Sequence, residues 1–161
     1  MRLRFKNLSP GLVEVVGTGL VIRRIDHPVP GGGHWWSLGA AGEYEEDGND
    51  RRALMMSSSR DRMKRTLQRV HDGLRMDQAG AGMHRYVELS STTIELVGTD
   101  FYLQRLEHEE PSLGHWWALT TELHDNDYEC DQAALMNDVS LASMQHRVQR
   151  LYDAFGRLWA Q

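Results

Sequence analysis

The chain has 161 residues, enough for one compact domain or two small fused ones. Apolar residues make up 40% and charged residues 25%, which suits a folded chain with a buried core. The net charge of −5 excludes a uniformly basic nucleic-acid binder, and no apolar run reaches the roughly 20 residues of a membrane span. The opening MRLRFKNLSP lacks the apolar run of a secretory signal, so export is not expected. A single cysteine, Cys130, rules out an intrachain disulfide framework and a Cys-rich zinc module. A reducing cytoplasm is the expected setting.

In chain order, Arg2-Leu3-Arg4-Phe5-Lys6 alternates basic and apolar residues and predicts a strand with Leu3 and Phe5 inward. Residues 12–16 and 20–25 are rich in β-formers and flank Gly17-Thr18-Gly19, a short hairpin. After Pro28, Pro30 and three glycines, a fourth strand is expected at 34–38. An acidic loop, 43–52, follows. Met63, Leu67, Val70 and Leu74 recur at helical spacing, and Ser59 is a candidate N-cap.

The same succession then repeats. Shifting the sequence by 81 residues places VEVVGTGLVIRRIDHPVPGGGHWWSL on IELVGTDFYLQRLEHEEPSLGHWWAL, and 13–74 matches 94–155 without a gap at 21 of 62 positions. That is a duplication, with a period too long for a solenoid. The second copy predicts a turn at Gly98-Thr99-Asp100, since Asp also tolerates turn conformations. It also predicts a strand at 115–123, an acidic loop at 124–132, and a helix carrying Met144, Val148, Leu151 and Phe155 after Ser140. The expected fold is α+β. It comprises two tandem ββββα modules, residues 1–78 and 82–161, each an antiparallel four-stranded sheet with a C-terminal helix. Pseudo-two-fold symmetry relates them, and 73–82 is the linker. One helix covers one face of such a sheet, so pairing two copies would bury the rest.

Charge separates the copies. Residues 1–81 hold 13 basic and 10 acidic side chains, whereas 82–161 hold 5 and 13. Asp125, Asp127, Glu129 and Asp131 alternate with other residues, so an extended segment would line four carboxylates along one face. Such a surface suits a basic partner, for example the phosphate-binding groove of a nuclease. A solvated acidic loop is the default reading, and calcium is a third, although the glycine of a standard calcium loop is missing. Glu43, Glu45, Glu46, Asp47 and Asp50 form the first copy's acidic cluster. Each His-Trp-Trp triplet, 34–36 and 115–117, should send one indole into the core and its neighbour outward. Packing is the favoured role for each indole; if one is exposed, Trp35 and Trp116 are the candidate partner contacts. The paired histidines, His27 with His108 and His34 with His115, read as structural; no metal site and no cofactor is expected. Arg24 and Arg105 occur in both copies and suggest an ion pair. Cys130 aligns with Asn49 and reads as incidental. No phosphate loop, GxSxG, HExxH or dinucleotide fingerprint is present, so no enzyme is expected.

The second copy, through Val97-Gly98, Trp116-Trp117 and the amphipathic segment 141–155, resembles the WapI-like immunity family of bacterial contact-dependent toxin systems. The resemblance implies a small, acidic, non-catalytic protein that blocks another protein, of the immunity or anti-defence type found in bacteria or phage. The tandem ββββα arrangement is also similar to whirly and PUR-repeat proteins, which implies binding of single-stranded nucleic acid. Arg2, Arg4, Lys6, Arg23 and Arg24 would then surround an outward tryptophan. The favoured partner is a protein with a basic surface, with nucleic acid as the alternative; no membrane partner is expected, and a homodimer is compatible.

Overall fold

The computed structural model describes residues 1–42, 53–75 and 85–160. It is α+β, with two five-stranded antiparallel sheets and three α-helices. The first sheet runs in chain order: β1 (Phe5–Ser9), β2 (Leu12–Val15), β3 (Leu20–Asp26), β4 (His34–Ala40) and β5 (Met55–Ser57). Helix α1 (Arg60–Arg75) follows. The second sheet repeats the meander with β6 (Tyr86–Ser90), β7 (Thr93–Leu96), β8 (Tyr102–Glu107), β9 (His115–Thr120) and β10 (Met136–Asp138). Helix α2 (Asp127–Ala133) lies between β9 and β10, and α3 (Leu141–Trp159) follows.

The strand registers repeat at the 81-residue offset. Phe5 pairs with Val15 and Tyr86 with Leu96, and both first pairs carry an irregularity at the same place, between Asn7 and Ser9 and between Glu88 and Ser90. The hairpins are built alike. Gly17 (φ 83°) and Gly98 (φ 84°) supply the left-handed residue. The next residue braces the turn: Thr18 Oγ1 donates to the Val15 carbonyl at 2.7 Å, and Thr99 Oγ1 donates to the Leu96 carbonyl at 2.8 Å. Asp100, at the position of Gly19, has no positive φ. Among the described residues only glycines have one, and β8 starts at Tyr102, one position later than β3.

Each sheet has five strands where four are expected. The extra strands, β5 and β10, have three residues each, too few to show a period. They are held by pairing, with Leu38 opposite Met55 and Leu119 opposite Met136. Strand β9 stops at Thr120, short of residue 123, and the expected linker starts too early, because Gly73–Arg75 finish α1.

The two long helices do what their spacing predicts. Met63, Leu67, Val70 and Leu74 are fully buried, as are Met144, Val148, Leu151 and Phe155. Each such side chain contributes about 1.5–3 kcal/mol through its removal from water. Ser59 and Ser140 are the N-caps, their Oγ atoms accepting from Arg62 N and Ser143 N at 3.3 Å.

The chain divides into two compact units, residues 1–71 with 150–161, and residues 72–149. In the first unit, Arg157 Nη1 donates to the Thr18 carbonyl and Trp159 Nε1 donates to His71 Nε2, both at 3.1 Å. His71 is fully buried with the Phe155 ring edge-on at 5.0 Å. Gln68 ties the N-terminal segment to α1, accepting from Leu3 N at 2.8 Å.

In the second unit, Gly73 faces Phe101, and a Cβ on Gly73 would overlap that buried ring. The repeat equivalents are Ala154 and Leu20, so the larger strand residue goes with the smaller helix residue. Gly73→Ala should therefore destabilise by about 1–3 kcal/mol, although alanine is the better helix former. Adding Phe101→Leu recreates the first copy's pair and should recover most of the loss. Urea unfolding of the two single variants and the double variant checks this coupling.

Candidate partner-binding site

The acidic segment of the second copy is helical, which corrects the expected loop and the single carboxylate face. Asn126 Oδ1 accepts from Glu129 N at 2.8 Å and caps α2. Asp127 and Asp131, four residues apart, share one side; Glu129 points elsewhere and Asp125 precedes the helix. All four remain exposed. Seven residues are too few for a helix to stand alone, so its position rests on tertiary contacts.

Those contacts come from Cys130 and Gln104. Cys130, read as incidental, is 1% exposed and packs with Leu106 and Ala118, against which Trp116 and Ala134 also lie. Gln104 sits beside it on β8. Its Oε1 accepts from Thr120 Oγ1 and His124 N at 3.3 Å and from Cys130 Sγ at 3.4 Å, while its Nε2 donates to the His124 carbonyl at 3.3 Å. One amide thus ties together β8, the end of β9, the loop leaving it, and α2. The aligned residue in the first copy is Arg23, and that change of side chain was the available signal. The cue for α2 was Asn126 followed three residues later by Glu129.

Asp127 Oδ2 accepts from Glu107 N at 3.3 Å, so the end of β8 lies beside the start of α2. Glu107, Glu109 and Glu110 are exposed and extend the acidic surface beyond the residues chosen from the sequence. Arg105 Nε meets Glu107 Oε1 at 3.0 Å. The first copy has the matching pair, Arg24 with Asp26 at 3.4 Å, in line with the ion pair expected from the repeat. Tyr128 projects from α2 with 75% of its surface exposed.

The second tryptophan of each triplet is the core residue: Trp36 and Trp117 are each 7% exposed. Trp35 and Trp116 are half-buried. His27 covers Trp35, ring centroids 5.1 Å apart, and His108 covers Trp116 at 4.6 Å. Trp116 adjoins the cluster beneath α2, so the structure brings it together with the acidic helix. Trp35 stands at the equivalent place on β4 of the first sheet. Glu43, Glu45, Glu46, Asp47 and Asp50 lie outside the described residues. Among the described residues, no three His, Cys, Asp or Glu side chains are grouped to hold a metal ion, and no helix is long and apolar enough to cross a membrane.

Compared with known proteins, the chain matches no family model, no curated protein and no solved structure.

Burial, with the neighbouring Asp127 and Asp131 charges, pushes the Cys130 thiol up to about 11 from the ordinary 9.0. The folded state therefore holds this proton more tightly than the unfolded chain does. Stability linked to Cys130 is complete below pH 9 and declines as the pH rises from about 9 toward 11. Iodoacetamide at pH 8 should label the folded protein far more slowly than the urea-unfolded chain. Between pH 9 and 11 wild type should lose more stability than Cys130→Ala, measured by denaturant unfolding at each pH.

Proposed function

We propose that this is a non-catalytic acidic binding protein that neutralises a partner protein through the surface around α2. The observation that carries the reading is the concentration of exposed carboxylates there: Asp125, Asp127, Glu129 and Asp131, joined by Glu107, Glu109 and Glu110. Among the described residues, Asp125, Asp127, Glu129 and Asp131 make no ion pair. Like charges held this close repel one another and work against folding. A basic partner surface offsets that repulsion and speeds encounter. Tyr128, exposed among the carboxylates, adds an aromatic ring over which an arginine or lysine can sit.

A partner rich in Arg and Lys fits this chemistry, and the phosphate-binding groove of a nuclease is one such surface. Blocking it would make the protein an immunity or anti-defence factor acting in the cytoplasm, as the WapI-like resemblance implies. The absence of a catalytic motif supports a role in binding. In this reading the first module supplies a second acidic segment, and the modules act as a pseudo-symmetric pair.

Affinity capture from the native host tests the proposal, with protein and nucleic acid both measured in the eluate. Wild type should retain a basic protein. The variant D125N/D127N/E129Q/D131N should retain it at least about tenfold less well, a loss of about 1.4 kcal/mol or more, with its circular dichroism unchanged. Equal retention by both proteins, or an eluate holding only nucleic acid, would overturn the reading.

A further inference from the structure

The first module carries a surface of the opposite sign, and the repeat shows that its charge is not needed for the fold. The N-terminal segment runs beside α1: Gln68 Oε1 accepts from Leu3 N at 2.8 Å and Gln68 Nε2 donates to the Met1 carbonyl at 3.2 Å. Lys64 Nζ lies 5.2 Å from the centre of the Phe5 ring. Arg2, Arg4 and Lys6 are thereby held at the β1 edge of the sheet, next to the helix that carries Arg60, Arg62, Lys64 and Arg65. Arg2, Arg4, Lys6, Arg62 and Arg65 are all exposed, and among the described residues none of them makes an ion pair.

At the equivalent positions the second copy has Met83, Arg85 and Val87, then Leu141, Ser143, Gln145 and His146. The scaffold therefore tolerates neutral residues at nearly every one of these sites. Seven cations gathered on one copy of a duplicated fold add self-repulsion without adding a contact the fold requires.

We infer that this edge, formed by β1 and the first half of α1, binds the phosphate backbone of nucleic acid without regard to sequence. Two features favour nucleic acid over an acidic protein. Five of the seven cations are arginine, whose planar fork matches phosphate oxygens. The nearby rings are already occupied, Phe5 by Lys64 and Trp36 by Arg60 at 5.8 Å, so the surface offers charge in place of the aromatic anchors of a protein interface. The overall charge of −5 does not oppose this, because fields from exposed charges fade within about 8–10 Å at moderate salt.

Fluorescence anisotropy with a labelled single-stranded DNA of mixed sequence tests the inference on the full chain. Five exposed cations engaging phosphates give a log–log salt slope of about −3.5, so affinity should fall about 100-fold between 50 and 200 mM salt. R62Q/R65Q should bind more weakly and flatten the slope to about −2, while R62K/R65K should keep it near the wild-type value. R4Q/K6Q, on a different element, should flatten it similarly, so misfolding of one variant cannot decide the outcome. No binding at 50 mM salt would overturn the inference, as would binding that both neutralised variants leave unchanged. Displacement of the DNA by polyglutamate at equal charge concentration would also overturn it, assigning the edge to an acidic protein.

Discussion

Removal of one apolar helix face from water is the event on which each half of this molecule depends. Four inward positions on α1 and four on α3 are fully buried, and each meander also buries residues on one face. In the first sheet these are Val13, Val15, Ile22 and Leu38; in the second, Ile94, Leu96, Leu103 and Leu119. A five-stranded meander alone would leave that face wet. Burial of these apolar faces supplies most of the stabilising energy, with turns and caps selecting the register. The threonine-braced turns and serine caps recur at the same offset in both copies because they set that register.

What could be read in the sequence was whatever repeats at a short physical period. Helical spacing gave both long helices and their buried residues. Strand alternation gave the meander and the rule that one indole of each pair goes inside. What could not be read came from contacts between distant positions. Strands β5 and β10 exist because β4 and β9 present open edges to them, and three residues carry no period of their own. Helix α2 misled for a more specific reason. Its acidic residues alternate with others, a pattern that mimics a strand, while the residue that decides its conformation is Cys130, drawn into a pocket made by β8 and β9.

The acidic site was legible as composition and illegible as geometry. Asp125, Asp127, Glu129 and Asp131 announce charge, but Glu107 joins them only through the backbone bond to Asp127. Gln104 could be found only by asking why an arginine of one copy becomes an amide in the other. An arginine there could not supply the acceptor atom that Thr120, His124 and Cys130 share. Gln104 and α2 thus belong together in the second copy.

Divergence between the copies follows the same physical logic throughout. Inside, one pair of substitutions compensates: Phe101 goes with Gly73 where the first unit has Leu20 and Ala154, so volume is kept while shape changes. Outside, no such constraint operates and the charges are free to separate. Cations collect along α1 and β1, and carboxylates collect around α2 and the end of β8. A duplicated fold under selection for stability alone would disperse these charges, because each added like charge raises the energy of the folded state. Among the described residues, the cationic edge and the acidic helix α2 therefore stand on surfaces whose charge the fold itself does not require.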